Sequence, residues 1–146
     1  MNLKTIKFRI ENNIAFIELN RPDQYNALDH IMAEELFKIS LECDDNKNIR
    51  SVVLTGTGEK AFCAGGDLHS FHKQGKKISS HLKEVTTILH GAISRFSRMN
   101  APLIIGVNGI AAGAGLSFVG FADLVIASSN AKFVSAYSKA GLTPDG

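Results

Sequence analysis

Ala64-Gly65-Gly66-Asp67-Leu68 is the stretch that decides the fold of this chain, and its counterpart about forty residues later is Asn108-Gly109-Ile110-Ala111-Ala112-Gly113-Ala114-Gly115. Each stretch follows an apolar run typical of a β-strand and places small residues where a helix would begin. The first turn of a helix has backbone N–H groups without internal partners, and such donors can bind a negative oxygen. Two such turns that face each other predict an uncharged pocket that stabilises an enolate or a tetrahedral oxyanion.

The length and composition favour one folded domain over residues 1–146. Hydrophobic residues make up 45% of the chain, which excludes general disorder, and the net charge of +2 is too small to indicate a nucleic-acid partner. No secretion signal or membrane-spanning run is predicted. Cys43 and Cys63 do not suggest a disulfide framework, so a reducing, cytoplasmic setting is expected.

The hydrophobic pattern alternates between short strands and longer helices. Glu34 and Glu35 are expected on the solvent side of the first helix. Because most strands are apolar and separated by helices, the pattern predicts an α/β fold with largely parallel pairing. Strands are predicted at 3–10, 14–19, 51–55, 62–64, 103–107, 124–127 and 132–135, and helices at 28–41, 81–99 and 113–121.

Each glycine stretch taken alone has a simpler interpretation. Gly65-Gly66 is compatible with a plain tight turn, and the second stretch with a helix that packs closely on a sheet. Neither phosphate-binding fingerprint, G-x-G-x-x-G after the first strand or G-x-x-x-x-G-K-[ST], is present. A nucleotide-binding loop is therefore not predicted.

The histidines and the cysteine beside the first glycine pair are not predicted to carry chemistry. His69 and His72 lie one helical turn apart, but no third ligand follows at a suitable spacing, so a solvated helix face is favoured and no metal site is predicted. Cys63 lacks a histidine partner in the pattern and is expected to be a buried small residue. The remaining histidines are expected at the surface: His30, His81 and His90.

Four motifs, in this order and spacing, resemble the enoyl-CoA hydratase/isomerase (crotonase) superfamily. The resemblance runs from residue 3 to the end of the chain, and its later part is similar to the phenylacetate-pathway isomerase group. The motifs are Asn20-Arg21-Pro22 with Asn26-Ala27-Leu28, then Phe62 to Leu68, then Val107-Asn108-Gly109 with Ala112-Gly113-Ala114-Gly115, and then Ala122-Asp123-Leu124-Val125-Ile126-Ala127.

The resemblance implies a crotonase-like spiral of ββα turns, of the ClpP/crotonase type. It also implies an acyl-CoA thioester substrate, with coenzyme A as part of the substrate and no permanently bound cofactor. Homotrimers or dimers of trimers are expected. The turn-like end Thr143-Pro144-Asp145-Gly146 suggests that a C-terminal helical part, which builds the trimer in this family, is missing.

The resemblance also implies site residues. It assigns the oxyanion-binding N–H groups to Ala64 and Ala114. The second position is commonly glycine in the family, but an alanine N–H should serve equally. The residues expected to contact coenzyme A, mainly through the main chain, are Asn26, Ala27, Ala64, Gly65, Gly66, Asp67, Leu68 and Gly113.

The acid and base groups depart from the hydratase pattern. Hydratases of this family use two glutamates, and the matching positions here hold Ser117 and Tyr137. Neither hydroxyl has a pKa suited to replace a carboxylate base at neutral pH. Asp123 is expected to be structural, whereas Asp145 matches a catalytic aspartate of several isomerases in the superfamily. Double-bond isomerisation is therefore favoured; a weakly active acyl-CoA-binding or assembly subunit, and a hydratase with other acid and base groups, remain alternatives.

Overall fold

Eight strands and four helices alternate along residues 1–144, the part of the chain that the computed structural model describes. Short 3-10 turns occur at Pro22–Gln24, Gly75–Lys77 and Tyr137–Ala140. The strands are β1 (Ile6–Glu11), β2 (Ile14–Leu19), β3 (Ser51–Gly56), β4 (Ala61–Cys63), β5 (Leu103–Val107), β6 (Ile110–Ala112), β7 (Leu124–Ala127) and β8 (Lys132–Val134). The helices are α1 (His30–Asp45), α2 (Leu68–His72), α3 (Ile78–Phe96) and α4 (Ala114–Gly120).

The strands form two sheets with almost entirely parallel pairing. The larger sheet has the order β1-β2-β3-β5-β7, and only its β1–β2 pair is antiparallel. The smaller sheet has the order β4-β6-β8 and is parallel throughout. The predicted α/β architecture with parallel pairing is confirmed.

The N-terminal hairpin is fixed at both of its ends. Asn12 and Asn13 form its two-residue loop with φ of 50° and 66°, the left-handed backbone of a tight hairpin turn. Ahead of β1, the buried carboxylate of Glu35 accepts hydrogen bonds from the N–H groups of Lys4 (2.6 Å) and Thr5 (2.9 Å). The prediction that Glu35 faces solvent is therefore wrong, because the incoming chain supplies partners for its charge.

The two long helices cover one face of the larger sheet. Asp29 caps α1 by accepting from Met32 N–H at 2.8 Å, and α1 packs along α3. Their inward side chains join those of β2, β3 and β5 in one apolar core. Fully buried members of this core include Ile17, Met32, Leu36, Leu54, Leu103 and Ile105.

The smaller sheet was not predicted as a unit. A turn was predicted where β6 (Ile110–Ala112) forms, and a helix face was predicted at His69 and His72, in α2, without bounds for the helix. Strands of three residues are too short to show a hydrophobic period, so their pairing is determined by tertiary contacts. No helix among residues 1–144 is long and apolar enough to cross a membrane.

Candidate functional site

The two glycine turns lie against each other, backbone to backbone. A Cβ added to Gly65 would lie 2.9 Å from the carbonyl oxygen of Ala112 and 3.4 Å from the amide nitrogen of Ala114. Gly65 has a φ of +93° and Gly113 a φ of +51°, values that L side chains rarely adopt. Glycine at both positions therefore permits the contact between the turns.

Two amides close to this contact in the chain, those of Gly66 and Ala114, are distinguished by their hydrogen bonding. Gly66 forms a parallel bridge with Leu28, in which Leu28 N–H donates to Gly65 C=O (2.7 Å) and Asp67 N–H donates to Leu28 C=O (2.8 Å). Those bonds flank Gly66, so its own N–H points away from Leu28. Ala114 is the first residue of α4. Within residues 1–144, neither the Gly66 N–H nor the Ala114 N–H has a hydrogen-bond acceptor.

The prediction for Ala64 is wrong in one respect. Its N–H donates to the carbonyl oxygen of Tyr25 at 3.1 Å and is not free to bind a ligand oxygen. The next amide, that of Gly65, is directed at the Cys63 sulfur. Along this turn, Gly66 is the residue whose N–H has no acceptor among residues 1–144, and nothing in the residue pattern alone indicates which of the three amides that is.

An apolar cavity of about 130 Å³ is bordered by both Gly66 and Ala114. Gly66 and Ala114 lie at its wall, with Ala64, Gly65 and Gly113 beside them. Further apolar wall is supplied by Leu28, Leu68, Phe71, Leu82, Val85 and Leu89. Such a cavity suits an apolar acyl group whose carbonyl oxygen meets the N–H groups.

Asn26 and Ala27 are largely engaged by the protein. The buried Asn26 side chain accepts from Arg21 N–H (2.9 Å) and donates to the carbonyl oxygens of Thr57 (3.0 Å) and Ala61 (2.9 Å). Ala27 is buried, and its carbonyl oxygen accepts from the Arg21 guanidinium. The side chain of Asn26 thus shapes the loop and has no free donor for a ligand.

Asp67 joins the same network. Its carboxylate lies 2.8 Å from the Arg21 guanidinium and accepts from Ser70 N–H at 3.0 Å, which caps α2. Burial raises the pKa of this carboxyl, but these hydrogen bonds and the charge of Arg21 outweigh burial, and the pKa lies below its usual value of 3.8. The Arg21 guanidinium also lies 3.4 Å from the carboxylate of Asp29. Arg21 was not among the predicted site residues. Leu68, by contrast, is 56% exposed at the cavity mouth.

The positions that hold glutamates in hydratases lie next to each other. Ser117 Oγ and Tyr137 Oη are 2.9 Å apart, and Tyr137 borders the cavity. Asp123 accepts from Leu103 N–H at 2.7 Å and ties the end of α4 to β5, in agreement with the structural role predicted for it. Asp145 lies outside the described residues.

Cys63 lies directly behind the contact between the turns. It is fully buried, and burial raises the pKa of its thiol to about 11, with a smaller opposing effect from the Gly65 N–H. The thiol is therefore neutral at physiological pH. A nucleophilic role is not supported, since the thiolate is the reactive form.

Comparison with known proteins extends these observations. The chain matches the family model described as enoyl-CoA hydratase/isomerase over residues 9–146. A 1,2-epoxyphenylacetyl-CoA isomerase of Escherichia coli is 34% identical over 144 residues, covering 98% of this chain and 55% of that protein. A probable enoyl-CoA hydratase of Rhodobacter capsulatus is 37% identical, covering 99% and 54%. The crystal structure of an enoyl-CoA hydratase from Polaromonas sp. JS666 has a TM-score of 0.88 at 36% identity, covering 96% and 54%.

The chain thus spans about half the length of these relatives. The match includes both glycine turns, the loop that Asn26 organises and the two sheets that carry them. Fold, motif order and the placement of the turns agree with one another. The chain has the α/β crotonase fold that the sequence predicts, and it corresponds to about the N-terminal half of the related structures. It belongs to the enoyl-CoA hydratase/isomerase family.

Proposed function

We propose that the protein binds an acyl-CoA thioester and shifts a double bond in its acyl chain through an enolate. The observation that supports this is a pair of N–H groups, those of Gly66 and Ala114, that have no acceptor among residues 1–144 and belong to residues bordering one apolar cavity. Gly66 replaces Ala64 in this proposal because the Ala64 N–H is already bound to Tyr25. A thioester oxygen between the two donors would carry the developing negative charge.

The two donors would act by lowering the cost of removing the α-proton. A backbone N–H held in place before the reaction needs no reorganisation when charge appears, and removing one such donor typically costs about 3 kcal/mol of transition-state stabilisation. The apolar wall formed by Leu82, Val85 and Leu89 strengthens this effect, because it excludes water from the oxygen.

Asp145 is proposed as the base that removes the proton from one carbon and returns it to another. Moving a proton within one substrate requires a single carboxylate, whereas hydration requires one group for water and one for the α-proton. The hydroxyls of Ser117 and Tyr137 at the hydratase glutamate positions support the isomerase assignment.

Coenzyme A is proposed to lie along the main chain of the first turn. Ala64, Gly65, Gly66 and Leu68, together with Gly113 opposite, border the cavity and leave room for a ligand backbone. The engaged side chains of Asn26 and Asp67 are proposed to hold this turn in shape. We further propose a cytoplasmic homotrimer or dimer of trimers. The exposed apolar side chains on the edge strands β7 and β8 support this assembly.

The test uses the full-length protein with a panel of 2-enoyl and 3-enoyl thioesters of coenzyme A. Chromatography and NMR detect isomerisation as a change in double-bond position without a change in the mass of the thioester. Asp145→Asn is expected to abolish turnover and leave thioester binding intact, whereas Asp23→Asn, on an exposed turn, should retain both. Unchanged turnover in Asp145→Asn would remove this carboxylate from the mechanism.

A second candidate function is acyl-CoA binding without turnover. The hydrogen bond between Ser117 and Tyr137 favours it, since these hydroxyls partner each other where two carboxylates would work on substrate. A binder would leave every thioester of the panel unchanged. A hydratase with other acid and base groups would instead incorporate oxygen from isotopically labelled water into the product.

A further inference from the structure

We propose that His30, His81 and Glu84 form a binding site for a divalent transition-metal ion of the zinc type, separate from the acyl cavity. Each of the three side chains offers one ligand atom, and these atoms lie within 4.8 Å of one another. The sequence predicts that His30 and His81 are surface histidines, and no metal site was predicted from the histidine spacing. His30 is far in sequence from His81, and only the fold brings the two together.

The three ligands come from two packed helices. His30 is the first residue of α1, and His81 and Glu84 lie three positions apart on one face of α3. The two imidazole rings are 5.7 Å apart between centroids, with 32° between their planes. Because helices α1 and α3 pack along each other, the backbone positions of the three ligand residues are fixed relative to one another.

The surroundings of the His30 ring support its assignment as a metal ligand. Among the described residues, its Nδ1 is the one buried side-chain nitrogen or oxygen without a hydrogen-bond partner. Its other nitrogen, Nε2, lies 3.4 Å from Glu34 Oε1. Metal-bound histidines usually donate their second N–H to a carboxylate, which orients the ring. The arrangement leaves Nδ1 as the ligand atom and Glu34 as the orienting group.

The donor set selects the class of ion. Two imidazole nitrogens and one carboxylate oxygen suit zinc, whereas magnesium and calcium prefer oxygen ligands. Zinc–ligand bonds of about 2.0–2.1 Å require donors about 3.3 Å apart, so the ligand atoms must approach one another by up to about 1.5 Å. The exposed Glu84 can make this adjustment and leaves a fourth position open to water.

Binding at this site would reach the wall of the acyl cavity. The ring of His81 packs edge-on against Phe71, with 5.9 Å between centroids, and Phe71 lines the cavity. An ion that joins α1 to α3 would restrict His81 and, through it, this wall. It would also stabilise the folded state in proportion to its occupancy.

The test is zinc titration of the full-length protein after treatment with a chelator, by calorimetry and by thermal unfolding. One equivalent per chain and a raised Tm are expected. His81→Gln and Glu84→Gln should each weaken zinc binding at least tenfold and remove the Tm rise. His72→Gln, an exposed histidine outside the cluster, is the matched control and should bind as the parent does.

Two results would overturn the proposal. The first is the absence of saturable zinc binding by the parent protein. The second is equal zinc affinity in the parent and in Glu84→Gln, a variant of an exposed side chain that should fold normally. The readouts do not depend on turnover, so they stand apart from the test of thioester chemistry.

Discussion

At the residue scale, the carboxylate of Asp67 stabilises the turn that carries the free Gly66 N–H. Its hydrogen bonds to Ser70 and Arg21 hold the pKa of this carboxyl below 3.8 in the folded protein. The folded state therefore binds this proton less tightly than the unfolded state. The resulting stability is present above about pH 4 and is lost as the pH falls further.

We expect Asp67→Asn to be less stable than the parent at pH 7 and to lose less stability between pH 5 and pH 3. Urea unfolding across this range measures both effects. Asp23→Asn, which changes an exposed carboxyl on the neighbouring loop, should keep the pH dependence of the parent. An Asp67→Asn protein with an unaltered pH profile would contradict the assignment.

Single polar residues are also where sequence-based prediction failed. Glu35 was expected on the solvent side of α1 and Asn26 was expected to contact coenzyme A, yet both side chains are buried with protein partners. Apart from Arg21, which is near Asn26, their partners are distant in the chain, so no local pattern indicates them. The same limit explains why the sequence did not indicate that the N–H of Ala64 is bound to the carbonyl oxygen of Tyr25.

At the element scale, α4 can reach β4 only because Gly115 lacks a side chain. A Cβ at this position would lie 2.1 Å from the carbonyl oxygen of Cys63, which is rigid backbone. The helix would have to move away, and Ala114 at its start would move with it. Gly120, at the other end of α4, has nothing within 4 Å of such a Cβ.

We expect Gly115→Ala to lose about 2–3 kcal/mol of unfolding free energy and much of its thioester affinity, as overpacking does in other cores. Gly120→Ala should be neutral or stabilised by up to about 1 kcal/mol, because alanine favours helix. Denaturant unfolding and calorimetric titration with an acyl-CoA compare the pair. Equal behaviour of the two variants would show that the approach of α4 to β4 is not tight.

Longer elements were predicted well, and the reason is physical. Strands such as β2, β3 and β5, and both long helices, have enough residues to show a hydrophobic period, and their predicted positions match within a few residues. The three-residue strands β4, β6 and β8 show no period; β4 and β8 were predicted from their apolar residues, whereas β6 and the pairing of the three were not. Because these strands support the glycine turns, the local sequence motif identified the site better than it identified the sheet beneath it.

At the scale of the whole molecule, each sheet ends in a strand with exposed apolar side chains. β7 and β8 have no further neighbour within residues 1–144, and Leu124, Ile126 and Phe133 are 53%, 62% and 49% exposed. Side chains of this size are normally covered when they cluster. This surface is where we expect association with other polypeptide.

We expect the chain of residues 1–146 to associate in a concentration-dependent manner, and Ile126→Lys to reduce that association. Light scattering after size-exclusion chromatography gives the mass at each concentration. Ile10→Lys, which alters a partly exposed isoleucine on the opposite edge strand β1, should leave association unchanged. An equal effect of both lysines would point to general solubility and away from a specific surface.

The backbone contact between Gly65 and Gly113 determines which substitutions will impair this site. Backbone atoms make that contact, and the two donors beside it are the backbone N–H groups of Gly66 and Ala114. Exchanging the Ala114 side chain for any other except that of proline therefore leaves this donor intact. Adding a single methyl group at Gly65 or Gly115 pushes the turns apart. An alanine scan would therefore report this centre at its glycines and pass over the alanines, the reverse of what a constellation of reactive side chains would show.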